Sequence, residues 1–256
     1  HEHLQHDVYG NVILAAAQSF FDRRLLRPAL REDFERLEAV GEQAFLVHAL
    51  PDAGMWELRT RARVHTSSTL MCWAACDRLQ KIAEHLELKD RAALWSARAQ
   101  TIRKAIDTQA WNPQLNSYTD SFGGSDVEAG LLLMVEVGYV AATDPRFLGT
   151  LTAVEKRLRR GPYLFRYAAA DDFGLPETAF NICTFWYLDA LARVGRRDEA
   201  RELFENMLAR RNHLGLLSED VHPETGELWG NYPQTYSLVG IINAATRLSR
   251  DWEDVV

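Results

Sequence analysis

Apolar residues recur at i, i+3, i+4 and i+7 in one segment after another of the 256-residue chain. No stretch alternates with period two for long enough to predict a sheet. The pattern predicts an all-α protein with nine helices at about 7–23, 32–49, 66–87, 90–109, 125–140, 145–159, 178–194, 197–211 and 233–249. Local punctuation supports several of these limits. Ser125-x-x-Glu128 has the spacing of a capping box. Asp144-Pro145 offers an N-cap followed by proline at the first helical position, and Pro233 is expected to start the last helix in the same way. Trp95, Ala99, Ile102 and Ile106 share one face of the fourth segment, and Leu203, Phe204, Met207 and Leu208 form a stripe on the eighth; both are read as core.

The connections alternate between short and long. Residues 24–31, 88–89, 141–144 and 195–196 are short polar links between antiparallel neighbours. Residues 50–65, 110–124, 160–177 and 212–232 are long and hold most of the Gly, Pro, Trp and Tyr outside the helices. Long structured loops in a compact domain are usually functional. If the helices run up and down around a ring, every long loop emerges on one rim.

Composition narrows the function classes. Hydrophobic residues make up 47% and charged residues 25%, which suits a water-soluble domain with a large core. The net charge is −7, and the basic residues are scattered rather than gathered in a stripe with aromatics, which argues against a nucleic-acid partner. No apolar run is long enough for a bilayer span, so no membrane partner is expected. Cys72, Cys76 and Cys183 all sit in apolar helical patterns and are expected as buried thiols in a reducing, cytoplasmic setting. The chain opens on His1-Glu2-His3 and runs straight into a helical pattern, from which we expect a piece to be missing upstream.

Two long loops carry carboxylates suited to acid–base chemistry. In Pro51-Asp52-Ala53-Gly54-Met55-Trp56-Glu57-Leu58-Arg59, Gly54 permits a tight turn. Glu57 stands beside an indole, where desolvation raises a carboxyl pKa; the alternative is a surface glutamate paired with Arg59 or Arg61. In the last loop Glu219 follows the apolar exit Leu216-Leu217 and precedes a turn-rich segment with Trp229 and Tyr232. Glu224 and Glu227 flank a Thr-Gly turn and are expected to face water. Two carboxylates on loops of one rim are what glycoside hydrolysis needs; their separation, and with it the stereochemistry, does not follow from the residues. Arg166-Tyr167 in the third loop offers a planar fork of donors for vicinal hydroxyls and a stacking face. The Asp171-Asp172 pair lacks the spaced oxygen ligands of a hard-cation site, and no metal or cofactor is expected. His65, at the start of the third helix, is read as a capping or packing residue.

The strings HLQHDVYGNV (3–12), PDAGMWELR (51–59), HTSSTLMCWAACDR (65–78), GLPETAFNICTFWYLDAL (174–191) and GLLSEDVHPETGELWGNYPQTYSLVGIINAA (215–245) resemble the bacterial branch of glycoside hydrolase family 15, the glucoamylase, glucodextranase and trehalase group. The resemblance implies an (α/α)6 toroid with about nine of its twelve helices present in 1–256, the first helices and an N-terminal β-sandwich being absent. It implies Glu57 as general acid and Glu219 as general base in an inverting, exo-acting hydrolysis of an α-glucosidic bond. It also implies Trp56 as a wall of the terminal glucose subsite, Arg166 as its hydroxyl-binding arginine, and Trp229 or Tyr232 as the aromatic near the base. Many relatives carry an acidic residue where Ala53 stands. The expected partners are an oligosaccharide or disaccharide (a maltooligosaccharide, a dextran-type glucan or trehalose) and the upstream part of the same protein. The rival readings are a non-catalytic helical sugar-binding or scaffold protein, which predicts fixed-period repeats that the chain does not show, and an α/α-toroid disaccharide phosphorylase, which predicts phosphate dependence.

Overall fold

A computed structural model describes residues 4–25, 27–58, 61–171 and 174–249. Among these, nine α-helices follow one another: α1 (Asp7–Phe21), α2 (Arg31–Val47), α3 (Thr66–His85), α4 (Lys89–Gln109), α5 (Leu133–Glu136), α6 (Pro145–Leu158), α7 (Asn181–Arg193), α8 (Arg197–Ala209) and α9 (Thr235–Ser249). Each coincides with a predicted segment or part of one, α2 and α4 beginning one residue earlier than expected. Asp144 caps α6 as its sequence predicts, its side chain accepting from the Arg146 N–H at 2.8 Å with Pro145 at the first helical position. The long loops hold two-residue strands that the period-two reading did not detect.

The predicted helix 125–140 is the largest departure. Residues 124–128 form no helix, so Ser125-x-x-Glu128 starts none, and a 3₁₀ turn over Ala129–Leu132 leads into the short α5. Tertiary hydrogen bonds displace the local signal: the Asp120 N–H donates to the Asp126 carbonyl and the Ala129 N–H to the Arg166 carbonyl, both at 2.9 Å. The last helix begins at Thr235, not at Pro233, because the Gln234 N–H is drawn to the Leu217 carbonyl at 3.0 Å.

Contacts divide the chain into two compact units: one up to Asn112 with Thr119–Asp126, the other Pro113–Tyr118 with Val127 onward. In the first, α3 packs against α1, α2 and α4. Every residue from Thr66 to Cys76 is buried, so the first half of α3 is apolar or small on all sides rather than on one stripe. The fully buried Trp95 of α4 donates its indole N–H to Glu38 of α2 at 2.7 Å, and Arg91 shares that carboxylate. In the second unit α7 has the same central role, packing against α8 and α9. A network of Glu155, Tyr187, Arg196, Glu199 and Arg159 ties α6, α7 and α8 together. Gly240 of α9 lies where a Cβ would strike the Phe185 ring of α7, so these helices approach closely.

The cysteines are free and buried. Burial pushes the thiol of Cys76 up to about 12 and that of Cys72 further, which makes both inert as nucleophiles. Among the described residues no helix is long and apolar enough to cross a membrane.

Candidate active site

The Glu57 loop in the first unit is anchored from below. Asp52 pairs with Arg63 through both backbone groups, at 2.9 and 3.1 Å. Its buried carboxylate accepts from the His6 N–H at 2.8 Å and from Ser68 Oγ at 2.7 Å. The Ala53 N–H reaches the Leu4 carbonyl at 2.9 Å. The chain then turns at Gly54, whose φ of +68° suits glycine. A Cβ there would meet the His65 ring at 2.9 Å, so the turn is seated on that imidazole. His65 stands at the N-cap position of α3 without making a side-chain cap, and its Nε2 is buried with no hydrogen-bond partner. Burial holds its pKa below the usual histidine range against the pull of Asp52 and Asp120.

Glu57 itself adopts φ +55°. The other described non-glycine residues with positive φ are Glu87, just past the end of α3, and Asn116, in the turn between two short strands. A glutamate in the left-handed region is held at a cost of roughly 1–3 kcal/mol by its surroundings, and such strain clusters at functional sites. The turn closes with the Glu57 N–H on the Gly54 carbonyl at 3.1 Å and the Leu58 N–H on the Ala53 carbonyl at 3.0 Å. Trp56 is half-buried while Glu57 is exposed, so the desolvation expected beside the indole is not present. Arg59, a sequence candidate for pairing with Glu57, lies outside the described residues.

The Glu219 loop in the second unit is clamped differently. Three successive carbonyls are taken up: Leu217 by the Gln234 N–H, Ser218 by Asn181 Nδ2 at 2.9 Å and Ser237 Oγ at 2.7 Å, and Glu219 by the Asn181 N–H at 2.9 Å. The segment then enters a three-stranded antiparallel sheet, in which Ala179–Phe180 and Leu228–Trp229 flank Asp220–Val221. Glu219 Oε2 accepts from both the backbone N–H and the Nδ2 of Asn231, at 3.0 and 2.9 Å. Gly230 leaves room for this grip, since a Cβ there would come within 2.8 Å of Oε2.

Next to Glu219, Asp220 is buried and bonded to Thr178 Oγ1. Burial raises its pKa, while Thr178 and the Arg166 guanidinium pull it back. Arg166 thus belongs to the surroundings of the Glu219 segment. Its guanidinium lies 5.4 Å from the Tyr167 ring centre, and its Nε is buried without a hydrogen-bond partner. Tyr167 donates its hydroxyl to Asp171 at 2.5 Å; Asp172 lies outside the described residues. Trp229 pairs with Asp220 rather than with Glu219, and its indole engages Glu227 and the His222 ring. Trp229 and Tyr232 are each 46% exposed. Among the described residues no group of three or more His, Cys, Asp or Glu side chains forms a metal-binding set.

A family model for glycosyl hydrolases family 15 matches residues 1–246. The chain belongs to that family. Within it, the chain is 33% identical to a trehalase of Thermoplasma volcanium over 248 residues, 96% of this chain and 39% of the relative. It is 32% identical to a trehalase of Mycobacterium tuberculosis over 98% of this chain and 37% of the relative. The family 15 chain therefore spans about two fifths of the length of these curated relatives. Solved structures with the same fold include a glycosidase in complex with glucose (TM-score 0.77, 21% identity, covering 96% of this chain and 67% of that one). A glucoamylase from Saccharomycopsis fibuligera also matches (TM-score 0.78, 13% identity, 96% and 70%). These likenesses establish the fold class, the all-α (α/α)6 toroid expected from the sequence.

Four residues of the two loops were not singled out from the sequence: Asp52 as an anchor in the first unit and, in the second, Asn231 as the grip on Glu219, with Asp220 and Asn181 beside it. Asn231 had a legible signal, a side-chain amide directly after a glycine in Trp229-Gly230-Asn231-Tyr232. The others depend on contacts between distant segments.

Proposed function

We propose that the protein hydrolyses α-glucosidic bonds at the non-reducing end with inversion, Glu57 acting as general acid and Glu219 as general base. Glu57 protonates the glycosidic oxygen as the bond to the anomeric carbon breaks. Glu219 takes a proton from the water that attacks that carbon from the opposite face, and proton exchange with solvent resets the pair. The observation that carries the reading is the Glu219 carboxylate: one oxygen gripped by Asn231, in a segment that also gathers Arg166, whose buried Nε has no protein partner. Two N–H donors suit an ionised, acceptor-only carboxylate, and an unpaired buried guanidine N–H suits a sugar hydroxyl. The strained backbone at Glu57 supports its assignment as the partner.

Trp56, Tyr167, Trp229 and Tyr232 are the proposed sugar-stacking residues. The relatives' names favour trehalose as one substrate. The three buried free thiols support a reducing, cytoplasmic setting.

The test uses full-length protein in phosphate-free buffer, with product anomers followed by NMR. Inversion predicts β-glucose first from a maltoside, and one α- and one β-glucose from trehalose. Glu57→Gln and Glu219→Gln should each lower kcat by roughly 10²–10⁴-fold with helix content unchanged. Near wild-type turnover by either variant would overturn the assignment.

A further inference from the structure

His65 is a buried titratable group for which the proposed chemistry has no use. It is 3% exposed, and the Gly54 turn rests on its ring: a Cβ on Gly54 would lie 2.9 Å from Cγ and Cδ2 and 3.1 Å from Nε2. Nε2 is buried and makes no hydrogen bond. The side of the ring against the turn therefore includes a nitrogen that neither donates nor accepts.

The two sides of this contact are held unequally. On the ring side, the Thr66 N–H donates to the Asp120 carbonyl at 2.9 Å, the Phe122 N–H to the Val64 carbonyl at 3.0 Å and the Thr69 N–H to the His65 carbonyl at 3.0 Å, which fixes the backbone on both sides of the imidazole. On the turn side, the Gly54 carbonyl accepts from the Glu57 N–H at 3.1 Å and from Gln5 Nε2 at 3.3 Å, and the Leu58 N–H reaches the Ala53 carbonyl at 3.0 Å. These bonds hold a backbone with φ +68° at Gly54 and +55° at Glu57. When they break, the glutamate returns to common backbone angles. A misfit between ring and turn is therefore relieved on the turn side.

A proton on the ring creates that misfit. The imidazolium carries an N–H on both nitrogens, so Nε2 then buries a donor with no acceptor, which costs most when the group is charged. His65 also stands at the N-cap position of α3, where the helix dipole disfavours a cation. The charged groups around the ring are Asp52 and Arg63 of its own loop and Asp120 of the segment that pairs with it. Asp52 Oδ2 is taken by the His6 N–H and Ser68 Oγ, and Asp7 at the start of α1 repels this carboxylate. Asp120 is engaged by Ser121 Oγ at 3.2 Å and Arg63 at 3.7 Å. Neither carboxylate bonds to Nε2. Burial is the largest influence on the ring and holds its pKa below 6.5, the direction expected where a closed turn excludes the proton.

We propose that His65 positions Glu57 only as the neutral imidazole: a proton gained at Nε2 opens the Gly54–Leu58 turn and moves Glu57 out of place. The inference rests on the reading of Glu57 as general acid. Opening lets water serve Nε2, and by linkage the closed turn resists the proton as strongly as the proton resists the closed turn. The neutral ring supports the closed turn above pH 6.5, and that support is lost as pH falls through the lowered folded value. Turnover then falls with the fraction of molecules whose turn is closed.

The test combines hydrogen exchange, read by mass spectrometry, with kcat on full-length protein from about pH 7.5 to about pH 4.5. In wild type the protection of the Glu57 and Leu58 amides, corrected for intrinsic exchange, should fall by up to about tenfold per pH unit below 6.5, because opening takes up one proton. The amides of α3 should keep theirs. His65→Phe keeps a ring under the turn that cannot charge, so its protection should not follow pH and its kcat should fall less on the acid side than that of wild type. Gly54→Ala forces turn and ring apart with His65 in place; its protection should be low already at neutral pH and fall little further. The proposal is overturned if wild type shows no acid loss of protection, or if that loss is shared by α3, equal in His65→Phe, or undiminished in Gly54→Ala. A common acid limb of kcat in wild type and His65→Phe overturns it as well. Glu57→Gln tests the underlying reading separately: full turnover there removes Glu57 as the acid, and the switch then stands or falls on the exchange alone.

Discussion

The loop that carries Glu57 and the loop that carries Glu219 hold the same kind of side chain by different means. At Glu57 the support acts on the main chain: Asp52 and the buried His65 fix the turn, the backbone is pressed into the left-handed region, and the carboxylate stands exposed. At Glu219 the support reaches the functional group itself, through Asn231, and the surrounding carbonyls are taken up by three residues, Asn181, Gln234 and Ser237. In the first case position is bought with folding energy. In the second it depends on local hydrogen bonds that contribute little to global stability. Damage should therefore register as lost stability around Glu57 and as lost turnover around Glu219.

The strongest way to break this contrast is Gly230→Ala. The added methyl would lie within 2.8 Å of Glu219 Oε2, at a residue with φ +78°. Displacing the carboxylate by about 1 Å should cost on the order of 10²-fold in kcat, with the melting temperature close to wild type. Unchanged kcat would show that the grip does not position Glu219 for turnover. Next comes Asp52→Ala, which strips two buried hydrogen bonds from the first unit. It should lower unfolding free energy by roughly 2–3 kcal/mol, measured by urea titration, with kcat per folded molecule little changed. Full stability with poor turnover would reverse the assignment of the two modes.

The smallest effect concerns pH. His65 has a folded-state pKa below its ordinary value of 6.5, first through burial, with Arg63 acting in the same direction and Asp52 and Asp120 opposing. The unfolded chain then binds this proton more readily than the fold does. The stability of neutral His65 is present above pH 6.5 and is lost as pH falls through the lowered folded value. Asp120 has the opposite sign: burial raises it above 3.8, so its contribution weakens as pH rises through the raised folded value. His65→Asn should make the acid-side fall in melting temperature shallower. A fall parallel to wild type below pH 6.5 would remove His65 from this role.

Most of the helical framework was legible because buried helical faces impose the 3.6-residue period directly. The segment 125–128 was not, because the local capping spacing is outweighed by hydrogen bonds to Asp120 and Arg166 that no nearby residue announces. In the two loops, Glu57 and Glu219 are singled out by loop chemistry and by resemblance, but the burial expected at Glu57 does not follow from an adjacent indole: Trp56 is half-buried and its neighbour is not. Asp52 and His65 stand 13 residues apart, and their joint role rests on the intervening chain folding back through Arg63.

The strand pairing around Asp220 has a consequence for how the loop tolerates change in length. Ser218 and Asp220 are buried on either side of the half-buried Glu219, and side chains alternate along an extended segment. Inserting or deleting one residue between Leu217 and Glu219 would present a serine or an aspartate where the glutamate belongs, so parity here matters as much as identity. Beyond the pairs Asp220–Trp229 and Val221–Leu228, the tip at 222–227 is free of that constraint. Its length can drift while leaving Glu219 where it is.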